Sequence, residues 1–233
     1  MADKKIKGVL FDMDGTMFDT ETMSIYIWAA TARYYNINIS REFMMECMGL
    51  STKAIGEKFD KAFGDVLNYE TFRSAKNKVM EEIVEEDGVP HKKGLTEILD
   101  YIKENGIKAA IATSTSNERA VYNLEEGKVI QYFDEVISGD MVDKSKPEPD
   151  IYLLAAKKLG LRPEECMVLE DSKNGIISAR RANCLAVLVP DIIPVDDEMI
   201  EAADYVCEDL LEVIDLILSL IHISEPTRPE PIS

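Results

Sequence analysis

Two aspartates lie near the N-terminus, directly after a short apolar segment. Asp12 and Asp14 are two residues apart and are followed by Gly15, which lets the chain turn sharply. Two carboxylates at this spacing repel each other unless a cation lies between them, and Mg²⁺ binds one or two carboxylates together with phosphate oxygens. A carboxylate can also attack phosphorus to form an aspartyl-phosphate. The same residue types are common in simple turns, so this pattern alone favours neither interpretation.

Three more polar clusters occur further along the chain. The hydroxyl-rich stretch from Thr113 to Asn117 (TSTSN) opens a predicted helix, where hydroxyls and amides can bind phosphate or serve as ordinary caps. Lys146 can place a positive charge on a phosphoryl group, although the residue taken alone indicates only a solvated lysine. Glu170 and Asp171 form a second acidic pair that suits a metal ion.

An alternation of apolar runs and helical patterns predicts the elements that position these clusters. Strands are predicted at 6–11, 108–112, 135–137, 167–169 and 185–189, and helices at 95–102, 117–126, 149–159 and 175–182. Nearly continuous apolar strands that alternate with helices are typical of a parallel sheet covered on both faces. We therefore predict an α/β fold with a Rossmann-like parallel sheet. Each polar cluster follows a strand, where open α/β sheets bind ligands.

The stretch between the first and second strands has a different pattern. Ile25, Trp28, Ala29 and Ala32 lie on one face of a helix, and further helical patterns cover 51–63 and 69–86. This pattern predicts an all-helical insert at 19–89, with the α/β core formed by 1–18 and 90–217.

The composition excludes several kinds of partner. Acidic residues outnumber basic residues by 44 to 26, the net charge is −18, and basic residues form no cluster. A nucleic acid or an anionic membrane is therefore not an expected partner. No run of about 18 uncharged apolar residues could span a membrane. The N-terminal residues lead into a strand without a secretory leader, so we expect a cytoplasmic protein with reduced cysteines.

The last residues are unlike the rest of the chain. Leu218 to Arg228 (LSLIHISEPTR) looks like the in-frame translation of a common DNA-sequencing adapter. A proline-rich native tail is the alternative. We expect 218–233 to be a non-native scar without a functional role.

Taken together, the four clusters resemble the motifs of the haloacid dehalogenase superfamily of phosphotransferases. These motifs are DMDGT after the first strand, a threonine after AIA, KPEPDIY, and VLEDSKNG. The resemblance covers Lys4 to about Ile217. The helical insert is similar to the small α-helical cap of the subgroup that contains β-phosphoglucomutase and many sugar-phosphate phosphatases.

The resemblance implies a role for each core motif. Asp12 would be the nucleophile, and Asp14 would be the general acid and then the base that activates water. Thr113 and Lys146 would bind the transferring phosphoryl group.

The resemblance also implies a cofactor and a substrate site. Mg²⁺ would be held by Asp12, by the backbone carbonyl of Asp14 and by Asp171, with Glu170 beside it or one water away. Substrate contacts are expected from Ser114 and Asn117, and from Gly49 and Lys53 in a cap loop that reaches over the active site.

The implied activity is that of a Mg²⁺-dependent phosphatase, expected to be a monomer, that acts on a small phosphorylated metabolite through an aspartyl-phosphate. One alternative is a β-phosphoglucomutase-type mutase. Ser24 and Thr52 stand where such mutases carry a histidine and an arginine, although Lys53 next to Thr52 could substitute for the arginine. Gly15-Thr16 is the form usual in phosphatases. A catalytically silent binding protein on the same fold is the other alternative, but no core motif residue is missing.

Overall fold

The α/β sheet is parallel throughout, and its central strands carry the acidic motifs. The computed structural model describes residues 6–47 and 52–222. The strands lie in the order β3-β2-β1-β4-β5-β6. In chain order their bounds are β1 Gly8–Phe11, β2 Lys108–Ala112, β3 Glu135–Ile137, β4 Cys166–Glu170, β5 Leu185–Leu188 and β6 Tyr205–Val206. Gly8 pairs with Lys108 on one side and with Cys166 on the other.

Ten helices are described in chain order. The first four are α1 Thr20–Tyr34, α2 Arg41–Cys47, α3 Thr52–Phe63 and α4 Tyr69–Asp87. The others are α5 Leu95–Glu104, α6 Asn117–Glu126, α7 Asp150–Leu159, α8 Lys173–Arg181, α9 Asp197–Ala202 and α10 Leu210–His222. None of the helices in the described part of the chain is long and apolar enough to cross a bilayer.

The chain divides into two compact units. The α/β unit consists of the stretch up to Phe18 and the stretch from His91 onward, and the helical unit is Asp19–Pro90. The amide of Asp19 donates a hydrogen bond to the carbonyl of Pro90 at 2.8 Å. This bond joins the two ends of the helical unit, which ends one residue later than the sequence predicts.

Both faces of the central strands β1 and β4 are buried. Side chains that point to one face, including Leu10, Ala110 and Val168, pack with buried residues of α7, α8 and α9. The alternating set, which includes Phe11 and Leu169, is also fully buried. The predicted α/β fold with a Rossmann-like parallel sheet is confirmed. Burial on both faces explains why the strands lack polar alternation.

The helical unit has an aromatic core of its own. Trp28 lies 5.1 Å from Phe72, and Phe59 lies 4.6 Å from Phe72, measured between ring centroids. Asn68 begins α4 by accepting a hydrogen bond from the amide of Thr71 at 2.9 Å. The helical pattern of the sequence therefore corresponds to a packed unit.

The last helix, α10, includes the first residues of the predicted scar. Ile217 is fully buried in the α/β unit, whereas Leu218 is 37% exposed. Helix α10 continues through residues 218–222, which are the first five residues of the segment interpreted as a scar. The remainder of that segment, 223–233, lies outside the described residues.

Candidate active site

The first acidic motif is placed by the pairing of β1 with β4. The amide of Asp12 donates a hydrogen bond to the carbonyl of Leu169 at 3.0 Å. Phe11 pairs with Leu169, so the next residues, Asp12 and Glu170, lie side by side at the carboxyl edge of the sheet. Both residues are buried, because they extend strands that are covered on both faces.

Lys146 lies between these two carboxylates. Its Nζ is 2.5 Å from Asp12 Oδ1 and 2.6 Å from Glu170 Oε1, and its side chain is 6% exposed. Burial alone would lower the pKa of Lys146, but the charges of Asp12 and Glu170 raise it. The ammonium group therefore stays charged beside Asp12.

Glu170 is surrounded by hydrogen-bond donors of the protein. Oε1 accepts from Lys146 and from the hydroxyl of Tyr152 at 2.8 Å. Oε2 accepts from the amide and hydroxyl of Ser172 at 3.0 and 2.9 Å. Burial would raise the pKa of Glu170, but Lys146 and the other donors lower it. Four donors match the acceptor capacity of a carboxylate, so Glu170 primarily holds Lys146 in place.

Asp171 occupies a tight site beside the first motif. Thr16 Oγ1 donates to Asp171 Oδ1 at 3.1 Å. Gly15 has a φ of +83°, and a Cβ atom there would lie 2.4 Å from Asp171 Oδ2. Glycine is therefore required at this position both by the backbone conformation and by the close approach. Burial and the charges of Glu170 and Asp12 raise the pKa of Asp171 well above its ordinary value.

The acidic groups fit a hard divalent cation. Asp12, Glu170 and Asp171 each offer an oxygen within 4.8 Å of the others, and all three are buried. Burial, partly opposed by Lys146, raises the pKa of Asp12 to about 8. Crowded carboxylates that resist ionisation are stabilised by a bound cation, and an all-oxygen donor set suits Mg²⁺. Asp12 and Asp171 are the better candidates for direct ligands, because both oxygens of Glu170 already accept from protein donors.

The second motif supplies hydroxyls next to the acidic groups. Thr113 follows β2, is 1% exposed, and accepts a hydrogen bond on its Oγ1 from the amide of Thr115 at 3.1 Å. Thr115 Oγ1 donates in turn to Asp14 Oδ2 at 2.8 Å. The structure thus connects the loop after β2 with the loop after β1.

The residues predicted to contact substrate are more dispersed. Ser114 and Asn117 are exposed. The amide of Asn117 donates to the carboxylate of Asp140 at 3.2 and 3.3 Å, so an acidic side chain already occupies this donor. Lys53 lies in the first turn of α3 in the helical unit, where its side chain is 87% exposed and its Nζ lies 3.9 Å from Glu57 Oε1. Gly49 lies outside the described residues. Substrate contact by these four residues stays a prediction.

Four hydroxyl residues of the site were not identified from the sequence. They are Thr16, Thr115, Tyr152 and Ser172. Each lies within or next to a motif, and that position is the signal that could have identified it. Thr16, Thr115 and Tyr152 contact carboxylates at the ends of other strands, so these hydrogen bonds become visible only with the sheet order. Ser172 contacts Glu170, two residues before it.

Comparison with known proteins identifies the family. The family model of haloacid dehalogenase-like hydrolases matches residues 9–189. The chain is 32% identical to a phosphorylated carbohydrates phosphatase of Thermotoga maritima, over 76% of this chain and 82% of that protein. It is 28% identical to a fructose-1-phosphate phosphatase of Escherichia coli, over 79% of this chain and 96% of that protein.

A solved structure is similar along almost the whole chain. It is that of a candidate β-phosphoglucomutase from Thermotoga maritima, with a TM-score of 0.78 and 27% identity. The match covers 94% of this chain and all of that one. With the motif residues brought together at one edge of the sheet, the chain belongs to the haloacid dehalogenase-like hydrolase family.

Proposed function

We propose that this enzyme is a Mg²⁺-dependent phosphatase that hydrolyses a small phosphorylated metabolite through an aspartyl-phosphate on Asp12. The observation that supports this most directly is the position of Asp12. It is buried at the end of a central strand, 2.5 Å from the ammonium of Lys146, and close to Asp171. A carboxylate in such a position can serve as a nucleophile toward phosphorus.

The first half-reaction uses two carboxylates. An oxygen of Asp12 forms a bond to phosphorus while the bond from phosphorus to the ester oxygen breaks. Asp14 gives its proton to the departing oxygen, which keeps the electron pair of the broken bond. In the second half-reaction Asp14 takes a proton from water as that water attacks the phosphorus. The bond from phosphorus to the Asp12 oxygen breaks as the water oxygen binds, so phosphate leaves and the Asp12 carboxylate is restored.

The surrounding residues supply positive charge and hydrogen bonds. Lys146 and Thr113 would bind phosphoryl oxygens, on which negative charge develops in the transition state. Asp12, Asp171 and the carbonyl of Asp14 would hold Mg²⁺, which supplies charge neutralisation when it is bound. Lys146 favours the ionised form of Asp12, whose pKa burial otherwise raises.

The relatives support a sugar phosphate as the substrate class. Two of them bear names of phosphatases for phosphorylated carbohydrates and for fructose 1-phosphate. A panel of phosphorylated sugars, nucleotides and small acids, compared by kcat/KM, would identify the substrate.

Asp12→Asn tests the nucleophile. The amide keeps the shape of the carboxylate but cannot attack phosphorus competently, so phosphate release should fall by at least about 10³-fold. The measurement is Mg²⁺-dependent hydrolysis of a chromogenic phosphate ester, with folding checked by circular dichroism. EDTA should silence the wild type and Mg²⁺ should restore it. Retained activity in highly purified Asp12→Asn protein would contradict the proposal.

A phosphomutase is the second candidate, because the similar solved structure is a candidate β-phosphoglucomutase. Ser24 and Thr52, in place of the histidine and arginine of such mutases, favour hydrolysis. Incubation with Mg²⁺, β-glucose 1-phosphate and a trace of the bisphosphate should yield little glucose 6-phosphate. Formation of glucose 6-phosphate faster than free phosphate would establish the mutase instead.

A further inference from the structure

The loop after β2 contains a hydroxyl that contacts the acid–base residue directly. Thr115 Oγ1 lies 2.8 Å from Asp14 Oδ2, and both side chains are half-buried. We propose that Thr115 is a positioning residue that restrains the Asp14 carboxyl group in the orientation needed for proton transfer. This inference rests on the proposed function.

The backbone of Thr115 is held at two points. Its amide donates to Thr113 Oγ1 at 3.1 Å, and its carbonyl accepts from the amide of Gly139 at 3.0 Å. Gly139 itself packs closely, since a Cβ atom there would lie 2.4 Å from the carbonyl oxygen of Ser114. Threonine is β-branched and therefore has few χ1 rotamers. The main chain and the side chain of Thr115 are thus restricted independently of the hydrogen bond to Asp14.

The hydrogen bond restrains the carboxyl group of Asp14. When Asp14 is ionised it can only accept, so the hydroxyl of Thr115 must donate to Oδ2. A hydroxyl can also accept, so the contact can persist when Asp14 is protonated. In the first half-reaction the proton of Asp14 moves to the ester oxygen as the bond from phosphorus breaks. Removing the Thr115 hydroxyl removes one contact that orients this carboxyl group, and proton transfer to the ester oxygen becomes slower.

The dependence of the rate on the leaving group tests this role. Phenyl phosphate and p-nitrophenyl phosphate have similar shapes, but phenolate is the more basic leaving group and needs protonation more. Thr115→Val removes the hydroxyl and keeps the shape. We expect it to lower kcat/KM for phenyl phosphate at least about tenfold more than for p-nitrophenyl phosphate. General acid catalysis contributes about 10²–10⁴-fold to a rate, and loss of positioning should remove a part of that contribution. Thr115→Ser retains the hydroxyl and should stay within about threefold of wild type on both esters.

Controls separate a positioning role from a structural one. Thr115→Ala should show the same selectivity as Thr115→Val, and Asp14→Asn should show it more strongly. Thr96→Val, an exposed substitution on α5, should change neither rate. Equal losses on both esters in the valine and alanine variants, or a serine variant as impaired as the valine variant, would overturn the inference. Absence of hydrolysis by the wild type would instead reject the proposed function, and this inference with it.

Discussion

At the scale of single residues, the site concentrates negative charge in a buried place. One oxygen each of Asp12, Glu170 and Asp171 lies within 4.8 Å of the others, close enough to contact one cation. Lys146 contacts two of these residues, Asp12 and Glu170. The raised pKa values of Asp12 and Asp171 follow from this crowding and from burial. A divalent cation should therefore stabilise the folded protein as well as support catalysis.

Asp171→Asn tests this coupling between cation and stability. Mg²⁺ at 100 times its dissociation constant should stabilise the wild type by about 2.7 kcal/mol. For a chain of this length that corresponds to a rise in melting temperature of about 5–10 °C. Asp171→Asn removes a ligand and should abolish the rise. Thermal unfolding followed by circular dichroism, with and without Mg²⁺, measures the rise in melting temperature of the wild type and of Asp171→Asn.

The matched control is Asp65→Asn, an exposed position in the helical unit. This variant should respond to Mg²⁺ as the wild type does. An undiminished Mg²⁺ response in Asp171→Asn would exclude Asp171 as a ligand, independently of any activity measurement.

The residues of the site were predictable from the sequence to different degrees. Asp12, Lys146 and Asp171 belong to motifs whose order follows the strands, and the family match confirms the predicted family and enzyme class. That both oxygens of Glu170 accept from protein donors was not predictable, because the fold brings Lys146 and Tyr152 to Glu170 from other parts of the chain. Hydrogen-bond partners across strands depend on side-chain directions that residue types do not encode.

At the scale of elements, the start of α8 supports the acidic motif. Ser172 begins this helix by accepting a hydrogen bond from the amide of Gly175 at 3.1 Å, while its own hydroxyl donates to Glu170. A Cβ atom at Gly175 would lie 1.7 Å from Glu170 Oε1. The first turn of α8 therefore has no room for a side chain.

Gly175→Ala tests this close packing. Although alanine favours a helix over glycine, the added methyl group must displace Glu170 or the helix. Overpacking of this kind should cost about 1–3 kcal/mol, and kcat should fall because Glu170 holds Lys146. Urea unfolding and ester hydrolysis measure the two effects.

Gly56→Ala on α3 is the matched control. A Cβ atom at Gly56 would lie 3.0 Å from the ring of Tyr69 in the same helical unit. The free energy of unfolding should therefore change by less than about 1 kcal/mol. If Gly175→Ala changes the free energy of unfolding as little as this control does, the first turn of α8 can accommodate a methyl group, and the prediction is wrong.

Most elements were predictable because their apolar periods are strong. The predicted bounds of β2, β3 and α6 agree with the structure, and other ends differ by one or two residues. Four of these helices and strands were given no predicted position, namely α2, α9, α10 and β6. Both residues of β6, Tyr205 and Val206, are exposed, so this edge strand lacks the apolar run that marks the central strands. Its place depends on hydrogen bonds to β5.

At the scale of the whole molecule, the C-terminal segment offers a clear test. Helix α10 buries Leu210, Val213 and Ile217, and exposure increases at Leu218. Deleting 218–233 should change neither the activity nor, by more than about 1 kcal/mol, the free energy of unfolding, because a scar has no evolved partners. A chain that ends at Ile217, compared with one that ends at His222, separates the contribution of the last helical turn. A larger loss of stability would mean that the segment is integral.

The insertion of the helical unit also has a consequence for synthesis on the ribosome. Strand β1 lies at the centre of the sheet, but its partners β2 and β4 follow about 100 and 160 residues later. At about 5–20 residues per second, β1 waits roughly 8–30 s for its second neighbour. The helical unit is contiguous and emerges complete during that interval. The nascent chain thus carries an unpaired apolar strand beside a finished unit, and the nucleophile is assembled only when β4 arrives.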